Sequence, residues 1–142
     1  MSEAMRESER IAGAVLARLY QNGLTPIDID CHALAAELAK DGESPESQFK
    51  RASEGAPAVI DYLHEEGLIR IGGESRYMDR SPAQFSKVQL TSRGLRVLNA
   101  LPRDLDEGAD HRTFGDRMAD ALEKGKAGLA AQLWRELMSE RD

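Results

Sequence analysis

A single cysteine, Cys31, stands among the 142 residues, so no internal disulfide and no cysteine-rich zinc site can form. It precedes an apolar helical pattern, where a buried thiol is expected. Aromatic residues are scarce, at 5%, although apolar residues in total reach 41% and suffice for a modest core. No apolar run approaches the roughly 20 residues that span a bilayer, so no membrane partner is expected. The first ten residues are polar and acidic, without the apolar centre of a secretory signal, which makes the cytoplasm the expected location. Only three histidines occur, His32, His64 and His111, in separate segments without metal-ligand spacing. Asp30-Cys31-His32 sets a carboxylate, a thiol and an imidazole side by side, but neighbours along a helix point in different directions and make no nucleophile-base pair. Gly72-Gly73 lacks the spacing of a phosphate loop. His64-Glu65-Glu66 lacks the second histidine of a zinc protease, because Leu68 stands four residues on. No enzyme, no cofactor, no metal and no recognisable small-molecule ligand are therefore expected.

Charge is abundant and unevenly placed. Charged residues make up 31% of the chain, with a net charge of -6. Residues 1–67 hold 6 Lys/Arg against 13 Asp/Glu, and residues 97–142 hold 7 against 10. Between them, residues 68–96 hold 6 (Arg70, Arg76, Arg80, Lys87, Arg93, Arg96) against 2 (Glu74, Asp79), a local balance of +4. An anionic partner is attracted most strongly to that middle stretch.

Taken in order, the chain opens with a helix ending near Asn22, its apolar stripe formed by Ile11, Val15, Leu16 and Leu19. Gly23 supplies a left-handed stop. Ile27 and Ile29 alternate with Asp28 and Asp30 and predict a short strand. Asp30 is placed to cap a second helix from about Cys31 to Lys40, with Leu34, Ala35 and Leu38 inward. A third helical region spans about Pro45 to Glu66, with Phe49, Ala52, Ala56, Val59, Ile60 and Leu63 in phase through Pro57. A proline inside a helix costs ~3 kcal/mol. Either the helix continues with a bend at Gly55-Ala56, which is the favoured reading, or a new helix starts with Pro57 in its first turn.

Asp61 to Leu98 organises the rest. The third helix stops at Gly67; Leu68-Ile69-Arg70-Ile71 leaves as a strand; residues 72–83 form a polar loop; Phe85 to Leu90 alternates as a returning strand. Thr91 then caps a helix to about Leu101. Residues 102–112 read as an acidic linker. Thr113 and Asp116 begin a further helix, with Phe114, Met118, Leu122, Gly125, Leu129, Leu133 and Leu137 along one side as far as about Met138. Unbroken, it would extend roughly 40 Å. Gly125 and Gly128 each weaken it by ~1 kcal/mol, which suits either a close approach of another backbone or a break.

The corners Glu66-Gly67-Leu68-Ile69 and Leu90-Thr91-Ser92-Arg93-Gly94, with the hairpin between them, resemble the bacterial MarR/PadR-like group. There an "EGLI"-type helix end is followed by a hairpin and an "LTxxG" helix start. The resemblance covers residues 5 to 100 in outline. It implies a winged helix-turn-helix domain over residues 1–101, mostly α with a small β hairpin, followed by the linker and a long amphipathic helix in residues 113–142.

The resemblance also implies a transcriptional regulator that binds double-stranded DNA. Gln48, Lys50 and Arg51 would contact DNA from the third helix, and Arg70, Arg76, Arg80 and Lys87 from the wing, supported by Arg93 and Arg96. The acidic balance of residues 1–67 is a poor electrostatic footprint for this role. Relatives of this type are usually dimers through terminal helices, so Phe114, Met118, Leu122, Leu129, Leu133 and Leu137 are expected either to form a homodimer interface or to fold back on the domain. The alternative function is a winged-helix protein-protein module that does not bind DNA and uses that stripe as its partner surface.

Overall fold

A computed structural model describes residues 2–73, 76–78, 81–102 and 112–140, with the backbone alone for residues 76–78, 81–83 and 140. It is mostly helical, with a small antiparallel sheet. The order is α1 (Glu3–Gln21), β1 (Ile27–Asp30), α2 (Cys31–Glu37), α3 (Pro45–Lys50), a π-helical turn (Arg51–Gly55), α4 (Ala56–Glu65), β2 (Ile69–Ile71), β3 (Arg76–Met78), β4 (Ser81–Leu90), α5 (Ser92–Leu98), α6 (Phe114–Glu123) and α7 (Ala127–Glu140). Among the described residues, no helix is long and apolar enough to cross a membrane.

The centre of the core is α1. Ser2 caps it, its Oγ accepting from the Met5 N–H at 3.1 Å. Ile11, Val15, Leu16 and Leu19 are buried, as their spacing predicts, and so are Ala12, Ala14 and Ala17 on the flanks. Burial extends around the helix because α4 packs on it as well as α6 and α7. Helices α1 and α7 cross closely at Gly13, where a Cβ would stand 2.8 Å from the Ala130 carbonyl carbon of α7. Only glycine permits that approach.

The segment expected as one long C-terminal helix is two helices. Gly125, at φ +72°, ends α6 in the left-handed conformation that glycine adopts without strain. The break lets α7 turn back along α1. Phe114, Met118, Leu133 and Leu137 are consequently buried in the chain's own core, Leu122 is half-buried and Leu129 is exposed. Four of the six residues expected at a dimer interface are thus covered within one chain. Gly128, the other candidate for a close approach, has open space around it.

Helical structure continues through Pro57. The turn Arg51–Gly55 is π-helical, and the Ala56 N–H reaches the Arg51 carbonyl instead of the carbonyl four residues back. Full burial of an aliphatic side chain contributes roughly 1.5–3 kcal/mol. Val59, Ile60 and Leu63 are all buried, and together they outweigh the ~3 kcal/mol that a helical proline costs. The extra residue in the π turn rotates the preceding segment out of phase. Phe49, expected inward, is exposed, and Arg51, expected outward, is buried.

Strand β4 is the spine of the sheet. It pairs with β1 on one side and with β2 and β3 on the other. Ile27 faces Val88 and Ile29 faces Phe85, so the register shifts between them. Ile69 opposite Leu90 and Ile71 opposite Val88 fix β2. The segment 72–83, expected as loop, contains β3 and the start of β4, with Tyr77 opposite Pro82. Pro82 is only one residue into β4, and a strand's start is where proline is tolerated.

Candidate nucleic-acid interface

The two corners that bound the hairpin meet in space. The Thr91 Oγ1 donates to the Gly67 carbonyl at 2.5 Å and accepts from the Gly94 N–H at 3.0 Å. The Thr91 N–H donates to the Leu68 carbonyl at 3.1 Å. A Cβ on Gly94 would lie 2.1 Å from that same Leu68 oxygen. One threonine therefore caps α5 and ties it to the end of α4, and the glycine three residues on is required by the contact. This lock sets Arg93 and Arg96 beside the sheet. The Arg93 Nη1 lies 3.8 Å from the position a Gly67 Cβ would take.

The register shift in β4 centres on Lys87, whose φ of +51° is rare for a side chain bearing a Cβ. Partners on both sides hold it. The Lys87 N–H donates to Asp28 Oδ1 at 3.0 Å, and the Gly72 N–H donates to the Lys87 carbonyl at 2.8 Å. Gly73 repeats the pattern on Ser86 at 3.1 Å. The bulge leaves the Lys87 side chain exposed. Arg70, paired in register with Gln89 on β2, is also exposed, as are Arg93 and Arg96.

Among the described residues, no carboxylate lies within ion-pair distance of Arg70, Lys87, Arg93 or Arg96. Several arginines elsewhere are paired. Arg10 meets Glu7, Arg18 meets Glu37, Arg112 meets Asp120, and Arg135 clasps Glu9 through two contacts of 2.8 and 2.9 Å. Hydrogen bonding to Glu9 raises the Arg135 pKa above its ordinary value. Arg76 in β3 and Arg80 are expected in the wing. Arg80 and the Arg76 side chain lie outside the described residues.

The third helix contributes less than expected. Lys50 is exposed and Gln48 is half-buried. Arg51 is 5% exposed and points into the protein. It pairs with Glu43, its Nη1 donating to Oε1 at 2.8 Å, and with Glu7; Nη1 also donates to the Ala35 carbonyl at 3.1 Å. This removes Arg51 from the candidate DNA-binding set. The physical reason is the π turn, which swings it over α1 and α2. Hydrogen bonding to Glu43 above all, then Glu7, raises its pKa, while Arg51 holds the Glu43 carboxyl below the usual carboxylate range.

Sequence reasoning misses the role of Asp28 in holding the bulge and misplaces Phe49. Asp28 stands in the alternating β1 pattern and signals only a strand facing solvent. Phe49 stands in phase with the apolar stripe, and nothing in its neighbours marks the π turn. Cavities flank the helices. One, of about 450 Å³, lies between α1, α4 and α7 and is lined by Met5, Ala12, Val59, Tyr62, Trp134 and Met138. Another, of about 630 Å³, lies beside the Arg51 ion pairs and is lined by Glu7, Glu43, Lys50, Arg51 and Glu54 among others. Cys31 is buried away from solvent, and burial, with Asp30 and Asp61 nearby, pushes its thiol up to about 12. Among the described residues, no group of three His, Cys, Asp or Glu side chains could hold a metal ion. In comparisons with known proteins, the chain matches no family model, no curated protein and no solved structure.

Proposed function

We propose that the chain is a winged helix-turn-helix DNA-binding regulator of the cytoplasm. The observation that carries this reading is the basic set Arg70, Lys87, Arg93 and Arg96, unpaired among the described residues in a molecule whose other arginines largely meet carboxylates. Phosphate contacts from Lys and Arg dominate nucleic-acid affinity, and cations already paired are weak contributors. The element order supports the same reading. A helix ending at Gly67 leads through a hairpin to α5, and β1 completes the sheet. Lys50 on α3 and the basic residues of β2 and β4 form the DNA-facing set, in place of the larger helix set expected from the sequence. A homodimer needs a surface other than the C-terminal stripe, four of whose six residues are internal.

The test is fluorescence anisotropy of the full chain with a mixed-sequence duplex across a salt series. The expected result is binding that weakens steeply with salt. No binding at the lowest salt overturns the reading. A second reading, an interaction module without DNA, is favoured by the groove between α1, α4 and α7, whose rim carries the exposed Met5 and Tyr62.

A further inference from the structure

Phe49, Ala52, Ala56, Val59, Ile60 and Leu63 form one apolar stripe if the helix that carries them is α throughout. The structure instead places the π turn Arg51–Gly55 in its path. The extra residue displaces what precedes it by one place. Phe49 is thereby 56% exposed, Gln48 is half-buried in its stead, and Arg51 is buried. The guanidinium of Arg51 holds this register, binding Glu7 of α1, Glu43 of the preceding turn and the Ala35 carbonyl of α2. Inside the turn, the Ser53 Oγ donates to the Phe49 carbonyl at 2.9 Å. Helix α3 itself buries none of its six residues, and residues 39–42 before it are exposed. A single π turn inside an α-helix is frequent at functional sites.

We propose that residues 45–55 are a two-register element, in which the π turn exchanges with a continuous α-helix that turns Phe49 inward and Arg51 outward. In the second register each residue of α3 shifts by one place. Phe49 takes the half-buried place of Gln48, and Arg51 takes the exposed place of Lys50. The slide is about 1.5 Å along the axis, and the exposed residues 39–42 take it up. Two interactions oppose each other. The observed register satisfies Arg51 with two carboxylates but leaves a ring in water. The other register covers the ring and releases the guanidinium. Packed elements move between discrete arrangements of this kind rather than deforming continuously. Glu7 and Glu43 thus act as an internal lock on a cation, and opening the lock trades an exposed ring for an exposed charge. The element works in this way whether or not the chain binds DNA.

The test uses the full chain with its three phenylalanines replaced by 4-fluorophenylalanine. Fluorine NMR reads each ring, and Phe49→Leu assigns the Phe49 line by deleting it. Phe85 and Phe114, both buried, give the reference for a ring out of water. The Phe49 line should show the solvent isotope shift of an exposed ring, and saturation transfer should connect it to a second, buried line populated at about 0.1–10%. Arg51→Ala should raise the buried line by at least about tenfold, because the lost ion pairs belong to the observed register alone. Glu7→Gln with Glu43→Gln should raise it by a smaller factor. Deleting Ser53 removes the extra residue, keeps Phe49 outside in an ordinary α-helix and should abolish the second line. A buried line that grows in either brace variant and vanishes on the deletion supports the proposal. A single exposed line in wild type and in both brace variants overturns it, and so does a second line that survives the deletion. If Arg51→Ala does not fold, the double glutamine variant decides in its place.

Discussion

Arg51 and Arg70 carry the same charge, 19 positions apart, and the fold treats them in opposite ways. Arg51 lies in the helical layer, buried and held by Glu7, Glu43 and the Ala35 carbonyl. Arg70 lies on the sheet, exposed, with no carboxylate within ion-pair distance among the described residues. The contrast extends to their neighbourhoods. Around α1 carboxylates of the N-terminal region pair with cations of the helical layer, Arg10, Arg18, the buried Arg51 and the exposed Arg135. Around β2, β4 and α5 the basic excess is left facing water. A count of charges along the chain distinguishes the two regions by sign. Only the fold shows that one set of cations is structural and the other is available.

The sharpest way to break the contrast is to remove Arg51. Truncating one partner of a buried ion pair strands the other charge, and Arg51→Ala should lower stability by about 3 kcal/mol. Urea denaturation followed by circular dichroism would show it. The protein that remains folded should bind DNA as wild type does, because Arg51 faces inward. Weakened binding by fully folded Arg51→Ala would return this residue to the interface. A comparable drop in stability, about 3 kcal/mol, is expected for Gly94→Ala, since a Cβ 2.1 Å from the Leu68 oxygen forces the corner apart. That variant tests whether α5, with Arg93 and Arg96, must be locked to the sheet for binding.

The opposite substitution pattern sharpens the contrast. Arg70→Glu with Lys87→Glu should leave stability within about 0.5 kcal/mol, as expected for exposed positions. It should nevertheless remove most duplex affinity. Neutral replacements should lower the slope of log affinity against log salt by about 1 for each phosphate no longer neutralised. Unfolding of the charge-reversed protein would mean that these side chains, too, are structural.

The parts of this arrangement that are legible in the sequence are the local ones. Caps are set by a side chain within three residues of its target, so Asp30, Thr91 and Thr113 can be read directly, and each caps its helix. The strands at 27–30 and 69–71 and the 85–90 part of β4 follow from alternating apolar and β-branched residues, whereas β3 and the first residues of β4 fall in a stretch that reads as loop. What escapes depends on contacts distant in sequence. The partners of Arg51 stand 44 and 8 residues away, and no pattern announces them. A π turn changes helical phase by one residue without a composition signal, so Phe49 and Arg51 exchange sides. Gly13 reads as an ordinary helical residue because the carbonyl it accommodates belongs to Ala130.

The pH dependence of stability separates the two regions again. Arg51 depresses the folded-state pKa of Glu43 below its ordinary value of 4.5. A carboxylate depressed in this way contributes stability above its unfolded pKa and loses it as pH falls through the folded one. The acid limb of a melting-temperature profile should therefore fall below about pH 4.5 in wild type. It should be flatter in Glu43→Gln, while Arg70→Gln leaves it unchanged. A profile of the same shape in all three would mean that the Arg51 pair is not what acid breaks.

Cys31 lies inside the layer that Arg51 braces. Its thiol is fully buried, and burial pushes its pKa up to about 12. The thiolate is the reactive form, and in mildly alkaline solution the folded protein holds almost none of it. Labelling by a thiol reagent should proceed only through opening of the helical layer, at a rate set by the population of the open state. Arg51→Ala should raise that rate exponentially with its destabilisation, about tenfold for each 1.4 kcal/mol, whereas the exposed pair Arg70→Glu and Lys87→Glu should leave it at the wild-type value. Faster labelling in the charge-reversed protein would show that the sheet and the helical layer open together, and the division between braced and available cations would then be one of position alone.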